Sequence, residues 1–130
     1  MLLLFYFVVS LLLFTPRCWV AGTGDREISV HKANLPIVSN PTCTDILSEV
    51  TRDSKLKISI FEMCAGGQVG SGNTCQVARA GAPLVCQGQG GNFYLAGLAG
   101  WNLEAACANQ RLPMVFTRVA RFFEFLELTP

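Results

Sequence analysis

Six cysteines in a chain of 130 residues constrain the fold more than any other feature. They are Cys18, Cys43, Cys64, Cys75, Cys86 and Cys107. None belongs to a CxxC pair, and His31 is the only histidine. Structural zinc sites are built from close Cys or Cys/His pairs, so the spacing argues against a metal, and no cofactor is expected. An even count in a short chain reads instead as a disulfide framework, which implies an oxidising compartment. Counting alone leaves the pairing open.

Charge and hydropathy narrow the class further. Ten Lys and Arg balance nine Asp and Glu, and no basic run appears. A nucleic-acid partner is therefore not expected. The 51% apolar content with near-zero net charge argues against disorder. Residues 1–14 (MLLLFYFVVSLLLF) carry no charge and a single polar residue, Ser10. The run is shorter than the ~20 residues of a spanning helix and has the length of a signal-peptide core. No Lys or Arg precedes it, and small residues at Ala21 and Gly22 offer a cleavage site. Residues 1–15 thus read as a hydrophobic leader, either a signal or anchor or a spurious start. Any membrane contact is expected through residues 1–14 alone, if they are not cleaved. Residues 16–130 read as one partial domain.

Along that domain, short apolar or alternating runs are separated by Gly, Asn and Pro. Cys18–Gly22 is strand-like. Ile28–Leu35 partly alternates, and Pro36-Ile37-Val38 extends it. Thr42–Val50 has helical apolar spacing, with Thr42 or Thr44 as its cap. Residues 60–65 form another short run, and residues 66–73 (GGQVGSGN) form a loop. Pro83–Cys86 and Phe93–Trp101 read as buried strands joined by a hairpin turn over Gln87–Asn92, and Val115–Val119 as a further strand. In the tail, Val119, Phe122, Phe123 and Leu126 fall on one helical face. Five or six strands with regular turn signals, then a helix, predict an all-β sandwich or barrel.

Several of these segments, in this order, resemble the trypsin-like serine proteases of the chymotrypsin fold. Cys18-Trp19-Val20-Ala21-Gly22 resembles the strand that opens the second barrel, and Met63-Cys64-Ala65-Gly66-Gly67 the family's "CAG" strand. Asn73-Thr74-Cys75-Gln76 and Pro83-Leu84-Val85-Cys86 frame the segment that carries the family's nucleophile. Tyr94–Trp101 resembles the strand lining the substrate cleft, and Pro113–Val119 with Phe122-Phe123 the C-terminal end. The resemblance spans about residues 16–128. It implies the second six-stranded antiparallel Greek-key barrel plus a C-terminal α-helix, without the first barrel. It also implies the disulfides Cys18–Cys86, Cys43–Cys64 and Cys75–Cys107. A signal cleavage after Ala21 would remove Cys18 and leave Cys86 unpaired, so either the cut precedes Cys18 or residues 1–14 are not a cleaved signal.

The same resemblance exposes missing chemistry. The family hydrolyses peptide bonds with a Ser nucleophile, a His base and an Asp that orients the His. The His and Asp belong to the part of the fold before residue 16, and His31 lies in a segment remote from the cleft. The family reads Cys-Gln-Gly-Asp-Ser-Gly-Gly-Pro-Leu-Val-Cys, whereas Cys75–Cys86 is one residue longer. Counted from Cys75, Arg79 stands at the Ser position, and its guanidinium stays protonated near neutrality. Val77 replaces the oxyanion-hole Gly, and Ala78 the Asp that pairs with a new N-terminal amine on activation. By the same match the specificity pocket takes Asn73, Thr74, Gln76, Gly100, Trp101, Asn102 and Met114. Asn73 sits at its base in place of a charge that selects Lys or Arg. Met114 fills a wall position usually held by Gly, Asn102 replaces a Gly, and Leu103–Ala106 lengthens a loop.

Two functions are therefore expected. One is a secreted, inactive homologue that acts by binding a protein or peptide. The other is a fragment or mis-assembled product of an active extracellular serine endopeptidase, since residues 77–82 read like a short frame displacement between matching flanks. An unrelated disulfide-stapled binding module is a third class, which the motif order disfavours.

Overall fold

The computed structural model describes residues 16–22, 31–67, 80–101 and 112–128. Within them the chain forms β1 (Arg17–Gly22), β2 (His31–Asn34), β3 (Ile37–Val38), α1 (Asn40–Thr51), β4 (Glu62–Ala65), β5 (Pro83–Gln87), β6 (Phe93–Trp101) and β7 (Met114–Arg118). A 3-10 turn (Val119–Phe122) and a short helix α2 (Phe123–Leu128) follow. Residues 1–14 and both cysteines of the expected Cys75–Cys107 disulfide fall outside the described residues. No described helix is long and apolar enough to cross a membrane.

All seven strands join one sheet in the order β2-β1-β5-β6-β7-β4-β3, and every pairing is antiparallel. The two outer strands, β2 and β3, are consecutive in the chain, separated only by Leu35 and Pro36. The Leu35 N–H donates to the Cys18 carbonyl, and the Pro36 carbonyl accepts from the Gly66 N–H. One bent segment thus pairs with β1 through its first half and with β4 through its second, and the sheet curls into a barrel. The sequence pattern over residues 28–38 reads as one continuous strand, of which residues 31–38 are described. Pro36 has no N–H to give a ladder, so the chain turns there. With the two halves taken as one bent wall, the barrel has the six walls expected.

Alternation along the strands fills the interior. Cys18, Val20, Leu84, Cys86, Met63 and Phe116 point inward and are almost fully buried. Gly97 makes room for Phe116, because a Cβ built on it would lie 2.9 Å from the Phe116 Cβ. The Cys18–Cys86 disulfide joins directly opposed positions of β1 and β5 within this core. A second, smaller core lies outside the sheet, where Cys43 and Leu47 of α1 pack with Ile58 on Cys64 and Val115. The Cys43–Cys64 disulfide staples it. In the chain-entropy model, loops of 68 and 21 residues stabilise by about 4 and about 3 kcal/mol.

Three local expectations are corrected. The cap of α1 is Ser39, whose Oγ accepts from the Thr42 N–H at 3.4 Å; Thr42 and Thr44 lie inside the helix. Pro41 fits the first turn, where no N–H is needed, and so the helix starts earlier. The tail begins as a 3-10 turn, and its apolar face is exposed, with Phe123 at 60%. Strand β6 is not buried throughout: Phe93 is 63% exposed, and Tyr94 and Leu95 are exposed beside it. They belong to the hairpin end, beyond the barrel core. That turn closes as expected, with the Gly88 N–H on the Asn92 carbonyl and Gly91 at φ 87°.

Candidate functional site

The segment entering β5 is held against β6 by backbone bonds. The Gly81 N–H donates to the Ala99 carbonyl at 2.7 Å, and the Ala99 N–H donates to the Ala82 carbonyl at 2.8 Å. Pro83 then pairs with Leu98. Gly81 has φ +89°, a conformation that costs other residues. Arg79, Val77, Ala78, Asn73, Thr74, Gln76 and Asn102 lie outside the described residues. The ladder-anchored end supplies a second count. Read back from Cys86, the family's Ser-Gly-Gly-Pro-Leu-Val-Cys falls on Ala80-Gly81-Ala82-Pro83-Leu84-Val85-Cys86, so Ala80 occupies the Ser position. Counted from Cys75 that position is Arg79. Neither side chain carries a hydroxyl or thiol that could attack a carbonyl. The sole histidine, His31, starts β2 opposite Gly22.

Further along β6 the backbone re-aims a side chain. Gly97 and Ala99 are buried and face the interior. Regular alternation would send residue 101 the same way. The register shifts between Ala99 and Trp101, so Gly100 and Trp101 together oppose Val115. A bulge of this kind turns a side chain to the other face. Trp101 therefore shares the outer face with Val115 and is 38% exposed. Gly100 is exposed within the bulge, and a Cβ on it would meet the Val115 carbonyl at 3.4 Å, an ordinary contact. Met114 is 3% exposed and packs in the barrel core with Phe116 and Ala65.

Glu62 lies on the same outer face, opposite Thr117 on β7. The Trp101 indole N–H reaches across β7 and donates to Glu62 Oε2 at 2.8 Å. The other carboxylate oxygen, Oε1, accepts from the Ser59 N–H at 3.1 Å. The Glu62 backbone carbonyl accepts from Asn40 Nδ2 and Arg118 Nε, each at 3.1 Å. Arg118 Nη2 also donates to Asn40 Oδ1 at 3.2 Å. Partial burial opposes ionisation of Glu62, but the hydrogen bonds from Ser59 and Trp101 outweigh it and hold the carboxyl below its ordinary range. Sequence reading named Trp101 and missed Glu62, Asn40 and Arg118. The bonds that join them to one another and to Trp101 span 22 to 78 residues, beyond any local pattern.

The sequence profile of the family described as Trypsin matches residues 13–126. The chain belongs to the trypsin family. Among relatives, this trypsin-family chain is 36% identical over 99 residues to the serine proteinase stubble of Drosophila melanogaster, covering 76% of the chain and 12% of that protein. It is 28% identical over 118 residues to the inactive CLIP domain-containing serine protease A8 of Anopheles gambiae, covering 86% of the chain and 31% of the relative. The fold superposes on kallikrein-related peptidase 10 with a TM-score of 0.63 at 25% identity, over 87% of this chain and 47% of that one. The chain thus spans less than half the length of each of these relatives.

Proposed function

We propose that this trypsin-family chain is a secreted pseudoprotease: it does not cleave peptide bonds and acts by binding a polypeptide along β6. One observation carries the reading. The segment beside β6, where the family places its nucleophile, offers Ala80 or Arg79 and no hydroxyl. Acyl transfer needs an activated nucleophile, a base and oxyanion donors, and loss of any one removes orders of magnitude in rate. One relative of similar coverage is itself named inactive. The binding half of the proposal rests on β6, which presents Leu98 and Trp101 to solvent at its cleft end and Phe93, Tyr94 and Leu95 at its hairpin end. Exposed apolar surface of this kind favours association. The disulfides support an extracellular setting. Incubation of the purified chain with a chromogenic peptide and a covalent serine-hydrolase probe tests the reading. No turnover and no labelling are expected. Labelling of the chain would refute inactivity and favour the alternative, a piece of an active serine endopeptidase.

A further inference from the structure

We infer that Glu62 is a positioning residue, whose carboxylate fixes the orientation of the Trp101 indole on the outer face of β6. The functional consequence, a preset aromatic surface for a polypeptide partner, rests on the binding reading above; the tether itself does not.

The bulge at Gly100 decides which face Trp101 takes, but it does not decide how the ring lies on that face. A partly exposed indole with only water to bond has no preferred direction for its N–H. Here the N–H meets a carboxylate oxygen at 2.8 Å two strands away. That bond directs the ring over β7, because Trp101 stands opposite Val115 and Glu62 opposite Thr117. The acceptor is itself held. Ser59 occupies the second carboxylate oxygen, and Asn40 and Arg118 both grip the backbone carbonyl of the same residue. A functional side chain whose partner is locked by further hydrogen bonds keeps its geometry without a ligand. A charged acceptor also makes the stronger bond: its loss costs about 1.5 kcal/mol, which corresponds to about a tenfold fall in the tethered population.

The arrangement is sensitive to acid. Trp101, Ser59 and Asn40 carry no group that ionises in acid, and the Arg118 side chain is a donor only. Glu62 is thus the group in this cluster that titrates in mild acid. Protonation removes the charge and weakens the hold on the indole.

The chain has two tryptophans, so Trp19→Phe leaves Trp101 as the only one. In that background, acrylamide quenching of Trp101 is measured from about pH 7 to about pH 3. The expected result is low quenching near neutrality and a rise in acid with a midpoint below the ordinary glutamate value of 4.5. Adding Glu62→Ala should raise quenching at every pH and abolish the midpoint. Adding Glu62→Gln, which keeps an acceptor oxygen without charge, should give intermediate quenching with no midpoint. Equal quenching with and without Glu62→Ala, or a midpoint that survives Glu62→Gln, would overturn the assignment. If the substituted chains fail to fold, the indole N–H resonances of the unsubstituted chain give the same test. The Trp101 signal should move with a midpoint below 4.5, and a flat titration would overturn the assignment. These measurements need neither a partner nor a nucleophile, so they fail separately from the pseudoprotease reading, whose inactivity falls on the labelling assay.

Discussion

The inside of the barrel and its outer face over β7 are built on different rules. Inside, contacts follow from alternation: Val20, Leu84, Met63 and Phe116 converge because each sits at an inward position of its strand. Outside, the Trp101 tether joins β6 to β4 across β7 and draws on α1 and the Ser59 loop. The interior stabilises by excluded water and close packing, and tolerates loss poorly. The outer network adds less stability and fixes the direction of one exposed ring. Stability and site geometry therefore reside in separate layers, and substitutions should separate them.

The largest effect should come from the interior. Phe116→Ala empties the centre of the fully buried core and should cost about 3–5 kcal/mol in urea unfolding. A smaller loss would mean that the core collapses around the gap. Gly97→Ala adds the opposite insult, forcing a Cβ to 2.9 Å from the Phe116 Cβ and 3.1 Å from the Thr117 carbonyl. Overpacking of this kind should cost about 1–3 kcal/mol. Phe116→Ala keeps both the Cβ and the neighbouring carbonyl that the new methyl would meet, so the double variant should retain the clash and the two costs should be close to additive. A large recovery would place the conflict on the Phe116 ring rather than on its Cβ.

The outer layer should respond more weakly and differently. Glu62→Ala should lower stability by about 1 kcal/mol near neutrality, while changing Trp101 quenching more than any interior substitution that leaves the chain folded. Its acid dependence has a definite sign. Hydrogen bonds hold the folded-state carboxyl below the ordinary 4.5, so Glu62 stabilises fully above that value. The contribution fades as pH falls through the folded-state titration. Denaturant midpoints of the parent should drop faster below 4.5 than those of Glu62→Gln, and parallel curves would break the link between tether and charge.

Helix capping should give the most local effect. Ser39→Ala removes the side-chain acceptor for the Thr42 N–H and should cost about 1 kcal/mol. The same substitution at Thr44, which caps nothing but accepts from the Ile58 N–H through Oγ1, should leave the start of α1 intact.

The two layers were also unequally legible. Strand positions such as Cys18–Gly22 and Pro83–Cys86 follow from apolar runs bounded by turn residues, and motif order supplied the family. Such signals are local, so sequence carries them. The exposure of Phe93–Leu95 was not legible, because an aromatic run reads as buried whether or not another layer covers it. The bulge at Gly100 was also hidden: one extra residue in a nine-residue strand leaves the composition unchanged and reverses the face of Trp101. Glu62 gave no signal at all, since a lone acid before Met63-Cys64 is an ordinary strand end until its distant partner arrives.

The turn at Leu35-Pro36 has a consequence for solubility. A sheet of this size that stayed flat would end in long open rims, ready to recruit another chain and grow into fibres. Because one segment serves both ends, the turn leaves, among the described residues, edges of four and two residues. The longer edge carries Lys32, exposed to solvent, and a lysine there repels an incoming strand. A single proline is thus expected to disfavour growth of the sheet through its own backbone edges.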